Sequence, residues 1–245
     1  MKILVIDDDD ISSTLISKIL QSKGYQTLVT PSAKKGFEYL EAGEPIVMII
    51  LDLMMPDMDG LTFLENVHKR PGLSDLPIII CSGDRFRESV LNTIKSGAKD
   101  YILKPIIASI LLDKTDKVMQ AEGLPLKDKY LITSRLKIEN ETYDEMLMKL
   151  IRNTTSVLHE ISELIKNQDY NKLIYTIVGL KGGAMNMGAE RLSNVLSKIE
   201  KASKDHNLDI IKDMVIALKR ELKILPGLTG DNKILSEEEM KVLKE

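Results

Sequence analysis

In the first half of the sequence, short apolar runs are followed by polar residues whose side chains can bind a phosphoryl group. Asp7 and Asp8 follow "KILVI", Asp52 follows "IVMIIL", and Ser82 and Lys104 follow two later runs. Converging carboxylates without histidine or cysteine suit a hard cation such as Mg2+. A lysine and a hydroxyl can balance the charge of a phosphoryl group. The set predicts an acidic pocket in which one carboxylate is a nucleophile.

The elements that carry these residues alternate between strand and helix up to about residue 122. Several of the apolar runs are apolar on both faces, which favours a parallel sheet covered on both sides. We predict an α/β fold with a doubly wound, five-stranded parallel sheet, in which ligands bind at the carboxyl ends of the strands. The predicted strands are 2–6, 25–29, 46–51, 77–81 and 100–103, and the predicted helices are 11–23, 32–42, 60–70, 85–97 and 106–121.

The second half of the sequence loses the strand pattern. We interpret 1–122 as one domain, 123–130 as a linker, 131–225 as an all-α helical bundle and 226–245 as a tail. Short loops between the long helices predict antiparallel neighbours, hence a four-helix bundle with a leading helix. The predicted helices lie near 131–139, 143–167, 170–187, 189–205 and 208–224. In the tail, Ser236 and Glu239 form a candidate capping box that begins a short helix.

The composition narrows the classes of partner. The chain has 245 residues and a net charge of −3, which suits two folded domains. Neither half has the basic excess that phosphate-backbone binding needs, so we expect no nucleic acid partner. No apolar run approaches the roughly 20 residues of a membrane span, so we expect no membrane partner. The one cysteine, Cys81, excludes an intramolecular disulfide and fits a cytoplasmic location.

The motifs of the first half resemble the receiver domain of bacterial two-component response regulators. The matching stretches are "IDDDD", "ILDLMMPDMDG", "CSG" and "YILKP", and they extend over roughly 1–121. The resemblance implies a flavodoxin-like receiver fold. It also implies that Asp52 accepts a phosphoryl group from a histidine kinase or a phosphotransfer protein, and that small phosphodonors can replace that donor.

The resemblance assigns roles to the other pocket residues. Mg2+ would be held by Asp7, Asp8, Asp52 and the backbone carbonyl of Met54. Lys104 would pair with the phosphoryl group.

The resemblance also implies a conformational switch. Ser82 and Tyr101 would form the switch pair: the hydroxyl turns toward the phosphoryl oxygen, and the ring moves inward. Pro105 follows a cis peptide bond in this family.

A glycine-rich stretch of the second half, "GLKGGAMNMGAERLSNVLSKIE", resembles histidine phosphotransfer (HPt) domains, with a coverage of roughly 143–224. The residues that match the motif are Leu180, Lys181, Gly182, Asn186, Gly188 and Ala189. Val178, however, stands where the family carries its phosphorylated histidine. Valine has no titratable group, so the resemblance is to a degenerate HPt-like domain that cannot relay phosphate at this position.

The spacing of this helix predicts a surface. A core stripe is expected at Leu173, Ile177, Leu180 and Ala184. A second stripe lies about 100° round the helix, and with one glycine it forms an expected interaction patch: Ile174, Val178, Lys181, Gly182 and Met185. The alternative is that another helix covers this stripe.

The favoured interpretation is a response regulator whose output is protein binding, acting as a signalling switch and not as a metabolic enzyme. The HPt-like bundle would bind an unidentified downstream partner, form a homodimer, or separate from its own receiver. One alternative is a phosphorelay protein that uses His159, which lies in "SVLHEISEL" on the predicted solvent side of its helix. Another is a DNA-binding regulator, which the near-neutral second half disfavours.

Overall fold

The protein is described by a computed structural model covering residues 1–56, 58–83, 87–121, 126, 128–228 and 235–243. The chain forms two compact units, Met1–Gly123 and Leu124–Glu245. Residues 123–125 and 127 of the predicted linker lie outside the described residues, as do 229–234 and 244–245 of the predicted tail. Among the described helices, none is both long enough and apolar enough to cross a membrane.

The first unit is a five-stranded sheet with parallel pairing throughout, in the order β2-β1-β3-β4-β5. All six residues of β3 are buried, because helices cover both faces of the sheet. The predicted fold class of the first half is confirmed. The strands are β1 (Lys2–Ile6), β2 (Gln26–Thr30), β3 (Ile46–Leu51), β4 (Ile78–Ser82) and β5 (Asp100–Leu103), and the helices are α1 (Asp10–Ser22), α2 (Ala33–Glu41), α3 (Gly60–Lys69), α4 (Arg87–Lys95) and α5 (Ala108–Ala121).

The strand order places the topological switch point between β1 and β3. The backbone N–H of Asp52, just after β3, donates to the carbonyl of Ile6 at the end of β1, with an N···O distance of 2.8 Å. The loop that follows Asp52 then turns tightly into α3. A Cβ built on Gly60 would lie 2.2 Å from the carbonyl oxygen of Asp52. Glycine at 60 therefore lets α3 begin directly against the loop that carries this carboxylate.

The second unit is all-helical, as predicted, and its helices share one hydrophobic core. The predicted capping box of Ser236 and Glu239 is present at the start of the last helix. The helices are α6 (Lys129–Leu136), α7 (Asn140–Ser156), α8 (Leu158–Lys166), α9 (Tyr170–Asn186), α10 (Glu190–Lys204), α11 (Leu208–Ile224) and α12 (Glu237–Val242), and a 3-10 turn (Leu225–Leu228) follows α11.

The single helix predicted over 143–167 is wrong, since the structure has two helices separated at Val157. The turn before the break carries hydroxyl side chains that hydrogen-bond to helix carbonyls. Thr154 Oγ1 donates to the carbonyl of Leu150 at 2.8 Å, and Ser156 Oγ donates to that of Asn153 at 2.9 Å. Bonds of the same type occur inside the continuous helices α8 and α10, so they do not by themselves account for the break. The apolar spacing continues through Val157 and did not reveal it.

The interior glycines of α9 differ in their surroundings. A Cβ on Gly183 would lie 2.9 Å from Leu150 Cδ1 of α7, so this glycine allows two helices to pack closely. A Cβ on Gly179 or on Gly182 would meet no atom within 4 Å. These two glycines therefore lack a packing role within the described part of the unit.

This difference predicts opposite effects of alanine on folding. Gly182→Ala should raise the free energy of unfolding by up to ~1 kcal/mol, because alanine is the better helix former and nothing obstructs its methyl group. Gly183→Ala gains the same propensity but must displace Leu150, so it should be clearly less stable than Gly182→Ala. Urea denaturation of both variants measures the difference. Equal stability of the two would contradict the packing role of Gly183.

Candidate functional site

The residues that follow β1, β3 and β5 meet at the carboxyl edge of the sheet. Lys104 Nζ lies 2.7 Å from Asp52 Oδ2 and 2.9 Å from Asp7 Oδ2. The backbone N–H of Lys104 donates to the carbonyl of Ser82 at 2.9 Å, which ties the end of β5 to the end of β4. The Lys104–Pro105 peptide bond is cis. One ammonium group is thus shared by two carboxylates from different strands.

A third carboxylate lies beside this pair. Asp7, Asp8 and Asp52 each offer a carboxylate oxygen, and the three oxygens lie within 4.8 Å of one another. Asp7 and Asp52 are buried, with 1% and 6% of their surface exposed, whereas Asp8 is exposed. The cluster therefore has a rigid buried side and one ligand at the solvent side.

Each buried carboxylate has one oxygen in a backbone hydrogen bond and the other in an ion pair with Lys104. Asp7 Oδ1 accepts a hydrogen bond from the backbone N–H of Asp9 at 3.0 Å, and Asp52 Oδ1 accepts one from that of Met54 at 3.2 Å. The second oxygen of each faces Lys104. The loops after β1 and β3 thus fix the orientation of both acids before any ligand arrives.

The site has more acidic than basic side chains, and this affects their pKa values. Burial raises the pKa of Asp7, although the hydrogen bond from Lys104 opposes this effect. Burial would lower the pKa of Lys104, but the hydrogen bonds and charges of Asp52 and Asp7 outweigh it and raise this pKa above its usual value. Because the pKa of Asp7 is raised, its contribution to stability is present below the ordinary carboxyl pKa and is lost as the pH rises through the raised value. Above that raised pKa, ionised Asp7 contributes unfavourably to folding.

The donor set fits Mg2+. All the converging ligands are carboxylate oxygens, which a hard divalent cation prefers. With Asp7, Asp8 and Asp52 ionised and Lys104 protonated, the four side chains carry a net charge of −2, which one divalent cation would balance. Asp7, Asp8 and Asp52 are the side chains that would hold the ion. The carbonyl of Met54 stays a predicted ligand.

The two predicted switch residues lie on neighbouring strands. Tyr101 of β5 pairs with Ile80 of β4, and Leu103 pairs with Ser82, so Ser82 and Tyr101 lie diagonally on the same face of the sheet. Ser82 is fully buried, and Tyr101 is partly buried against the core of the unit. The ring also lines a groove of about 360 Å³ that includes Ile107 of the loop before α5. A movement of Tyr101 would change this groove directly.

The predicted patch on α9 is exposed in part. Val178 and Met185 are 44% and 60% exposed, and Gly182 is exposed as well. Ile174 and Lys181 are only partly exposed. Lys181 forms an ion pair with Glu200 of α10, so it does not stand free in solvent.

One aromatic residue on this surface was not among the predicted patch residues. Tyr175 is 83% exposed, more than any other large apolar residue on α9. Tyr175 lies three residues before Val178 and therefore on the same side of the helix. This spacing could have been used to predict Tyr175 as a patch residue. Together Tyr175, Val178 and Met185 form an apolar surface along the helix.

His159 is exposed on α8, as predicted. Its neighbour Glu160 pairs with Lys172 near the start of α9, at 3.0 Å. The groove beside Val178 has a volume of about 540 Å³, and α7 contributes Asn153 and Ser156 to its lining. His159 does not line this groove.

The parallel sheet and the acidic pocket at its switch point define a receiver-type α/β domain. Residues 3–116 match the response regulator receiver domain family. The chain is 35% identical over 104 residues to the two-component response regulator ORR8 of Oryza sativa subsp. indica, which covers 42% of this chain and 86% of that protein. The chain belongs to the two-component response regulator family, and its first unit is a receiver domain.

Two further matches extend the comparison. The 3',5'-cyclic-nucleotide phosphodiesterase regA of Dictyostelium discoideum is 26% identical over 228 residues, which cover 91% of this chain. This chain spans only 27% of the length of that protein. A solved receiver domain protein from Methanospirillum hungatei JF-1, described as CheY-like, is 30% identical with a TM-score of 0.45, covering 49% of this chain and 94% of that chain.

The acidic cluster predicts stabilisation by Mg2+. Saturating MgCl2 should raise the free energy of unfolding of the wild type by about 1 to 3 kcal/mol, because a ligand that binds only the folded state stabilises it. Asp8→Ala should lose most of this increment, because it removes the exposed ligand without disturbing the buried pair. Urea denaturation with and without MgCl2 measures the effect.

Asp10→Ala provides the matched control, since Asp10 is an exposed acid at the start of α1 that lies outside the cluster. It should keep the full increment. A loss in Asp10→Ala equal to that in Asp8→Ala would mean that Mg2+ acts through general charge screening and not at the cluster.

Proposed function

We propose that the receiver unit is a phosphorylation switch in which Asp52 accepts a phosphoryl group from a histidine kinase or a phosphotransfer protein. The observation that carries this proposal is the geometry of Asp52: a carboxylate at the carboxyl end of a buried strand, 2.7 Å from the ammonium of Lys104 and beside two further acids. Lys104 and the backbone N–H of Met54 hold its two oxygens in place. The family assignment of residues 3–116 supports the same chemistry.

The proposed transfer is a displacement at phosphorus. A carboxylate oxygen of Asp52 forms the new P–O bond while the P–N bond to the donor imidazole breaks, and the imidazole leaves with the electron pair and takes up a proton. Lys104 moves from the carboxylate to a phosphoryl oxygen and balances its charge. Asp7, Asp8 and Asp52 would hold Mg2+, which would supply further neutralisation of the phosphoryl oxygens. Small phosphodonors would react in the same way.

The proposed response uses Ser82 and Tyr101. The hydroxyl of Ser82 turns toward a phosphoryl oxygen, and the ring of Tyr101 moves inward on the same face of the sheet. The support is their diagonal placement on β4 and β5, together with the ring's position in the groove beside Ile107. Phosphorylation would select between two states through its different contacts with each.

The second unit, in this proposal, is a degenerate HPt-like module that binds protein and does not carry phosphate. The support is the apolar surface along α9: Val178 stands where the resemblance expects the histidine, and the exposed Gly182 has no neighbour that a Cβ would meet. The chain would act in the cytoplasm as a signalling switch, without turnover of a metabolite. The phosphodiesterase activity in the name of regA is not part of the function proposed for this chain.

A phosphoryl mimic tests the switch. Trifluoroberyllate with Mg2+ should slow amide hydrogen exchange in β4 and β5 of the full chain, because ordering Ser82 and Tyr101 suppresses local opening. Asp52→Asn should abolish the response, and Asp10→Asn should keep it. Mass spectrometry of exchanged peptides measures both.

Two results would contradict the proposal. One is an unchanged exchange pattern in the wild type with the mimic present. The other is a response that persists in Asp52→Asn, since the mimic would then act elsewhere.

A further inference from the structure

Helix α9 carries two seams, each with residues alternately three and four positions apart. The buried seam packs into the core of the unit and consists of Leu173, Ile177, Leu180, Ala184 and Met187. The exposed seam consists of Asn171, Tyr175, Val178, Gly182 and Met185. Alternating spacings of three and four are typical of helices that pack along another helix. The exposed seam therefore fits a helix as its partner.

The described part of the unit leaves this seam uncovered. Tyr175, Val178 and Met185 are 83%, 44% and 60% exposed, and a Cβ on Gly182 would meet no atom within 4 Å. A glycine inside a helix costs roughly 1 kcal/mol relative to alanine. At Gly182 no packing contact within the described part of the unit compensates this cost. The glycine therefore suggests that a partner molecule approaches the helix closely here.

We propose that α9 of a second copy of this chain covers the exposed seam, antiparallel and related by a two-fold axis at the level of Leu180. This inference rests on the proposed function, which makes the surface along α9 a protein-binding site, and it specifies the partner. A two-fold interface needs a surface that complements itself. The exposed seam meets this requirement.

The self-complementarity lies in the sizes of the side chains. In an antiparallel pair centred on Leu180, residue numbers that face each other sum to 360. Tyr175 then faces Met185 of the second copy, and Val178 faces Gly182 of the second copy. Each contact repeats on the other side of the axis. The valine therefore fills the space left by the glycine, and the long methionine side chain meets the aromatic ring.

The charges beside the seam are neutralised within each copy. Lys172 pairs with Glu160 at 3.0 Å, and Lys181 pairs with Glu200. Residues 170–186 contain no acid. Two copies can thus meet without opposing unpaired charges, which would be costly. Because both lysines already have partners, charge gives no preference for an acidic partner over a second copy.

The size of the seam sets the strength of the dimer. The 17 residues of α9 extend over about 25 Å, at a rise of 1.5 Å per residue. One helix pair of this length buries less than the roughly 1,200 Å² of a stable interface. We therefore expect a weak, reversible dimer whose population changes with protein concentration.

Sedimentation velocity on the full chain tests this pairing, at loadings of about 5 to 500 µM, the range in which small interfaces associate. The wild type should sediment faster as its concentration rises. Val178→Glu and Gly182→Lys should each lose this dependence while keeping their helical circular dichroism. An equimolar mixture of the two variants should regain it, because Glu at 178 of one copy faces Lys at 182 of the other.

Met146→Glu is the matched control. Met146 on α7 is 44% exposed, like Val178, but it lies outside the seam. This variant should associate like the wild type. A wild type that stays monomeric, an equal loss in Met146→Glu, or a mixture that fails to associate would each overturn the pairing.

These experiments distinguish a failure of the pairing from a failure of the proposed function. A monomeric wild type whose β4 and β5 still respond to trifluoroberyllate through Asp52 would overturn the second copy as partner and leave the receiver switch intact. Association that follows the seam variants while the Asp52 response is absent would support the pairing and contradict the switch.

Discussion

The receiver unit depends on one electrostatic constraint: three carboxylates meet at a sheet edge with one ammonium group between two of them. Lys104 lies within 3 Å of both Asp52 and Asp7, and the latter is almost fully buried. The parallel sheet brings the ends of β1, β3 and β5 to one edge, and the order β2-β1-β3-β4-β5 places the switch point there. The excess negative charge of this edge suits a divalent cation.

Much of this could be predicted from the sequence because the strands are unambiguous. The bounds of β1, β3 and β5 agree with the predicted ones, since each strand ends directly before a charged residue. The residues that follow them converge for a topological reason that does not depend on side-chain detail. The shared position of Lys104 between two acids, in contrast, required the structure.

The second unit was less predictable from the sequence. The end of α7 and the surroundings of the individual α9 residues do not follow from the apolar spacing. Helix α7 ends at Ser156, at a place where the apolar spacing continues. The glycines of α9 look alike in sequence, yet Gly183 packs against Leu150 while Gly182 faces open space. Tyr175 was overlooked although its spacing placed it beside Val178.

In the proposed function, phosphate is carried at Asp52 and not in the helical unit. The most direct measurement labels the protein with a small phosphodonor and Mg2+ and then tests the acid and base stability of the label in the wild type, Asp52→Asn and His159→Ala. We expect a base-labile acyl phosphate that disappears in Asp52→Asn and persists in His159→Ala. A base-stable, acid-labile label that is lost in His159→Ala would contradict this proposal and identify a phosphorelay histidine on α8.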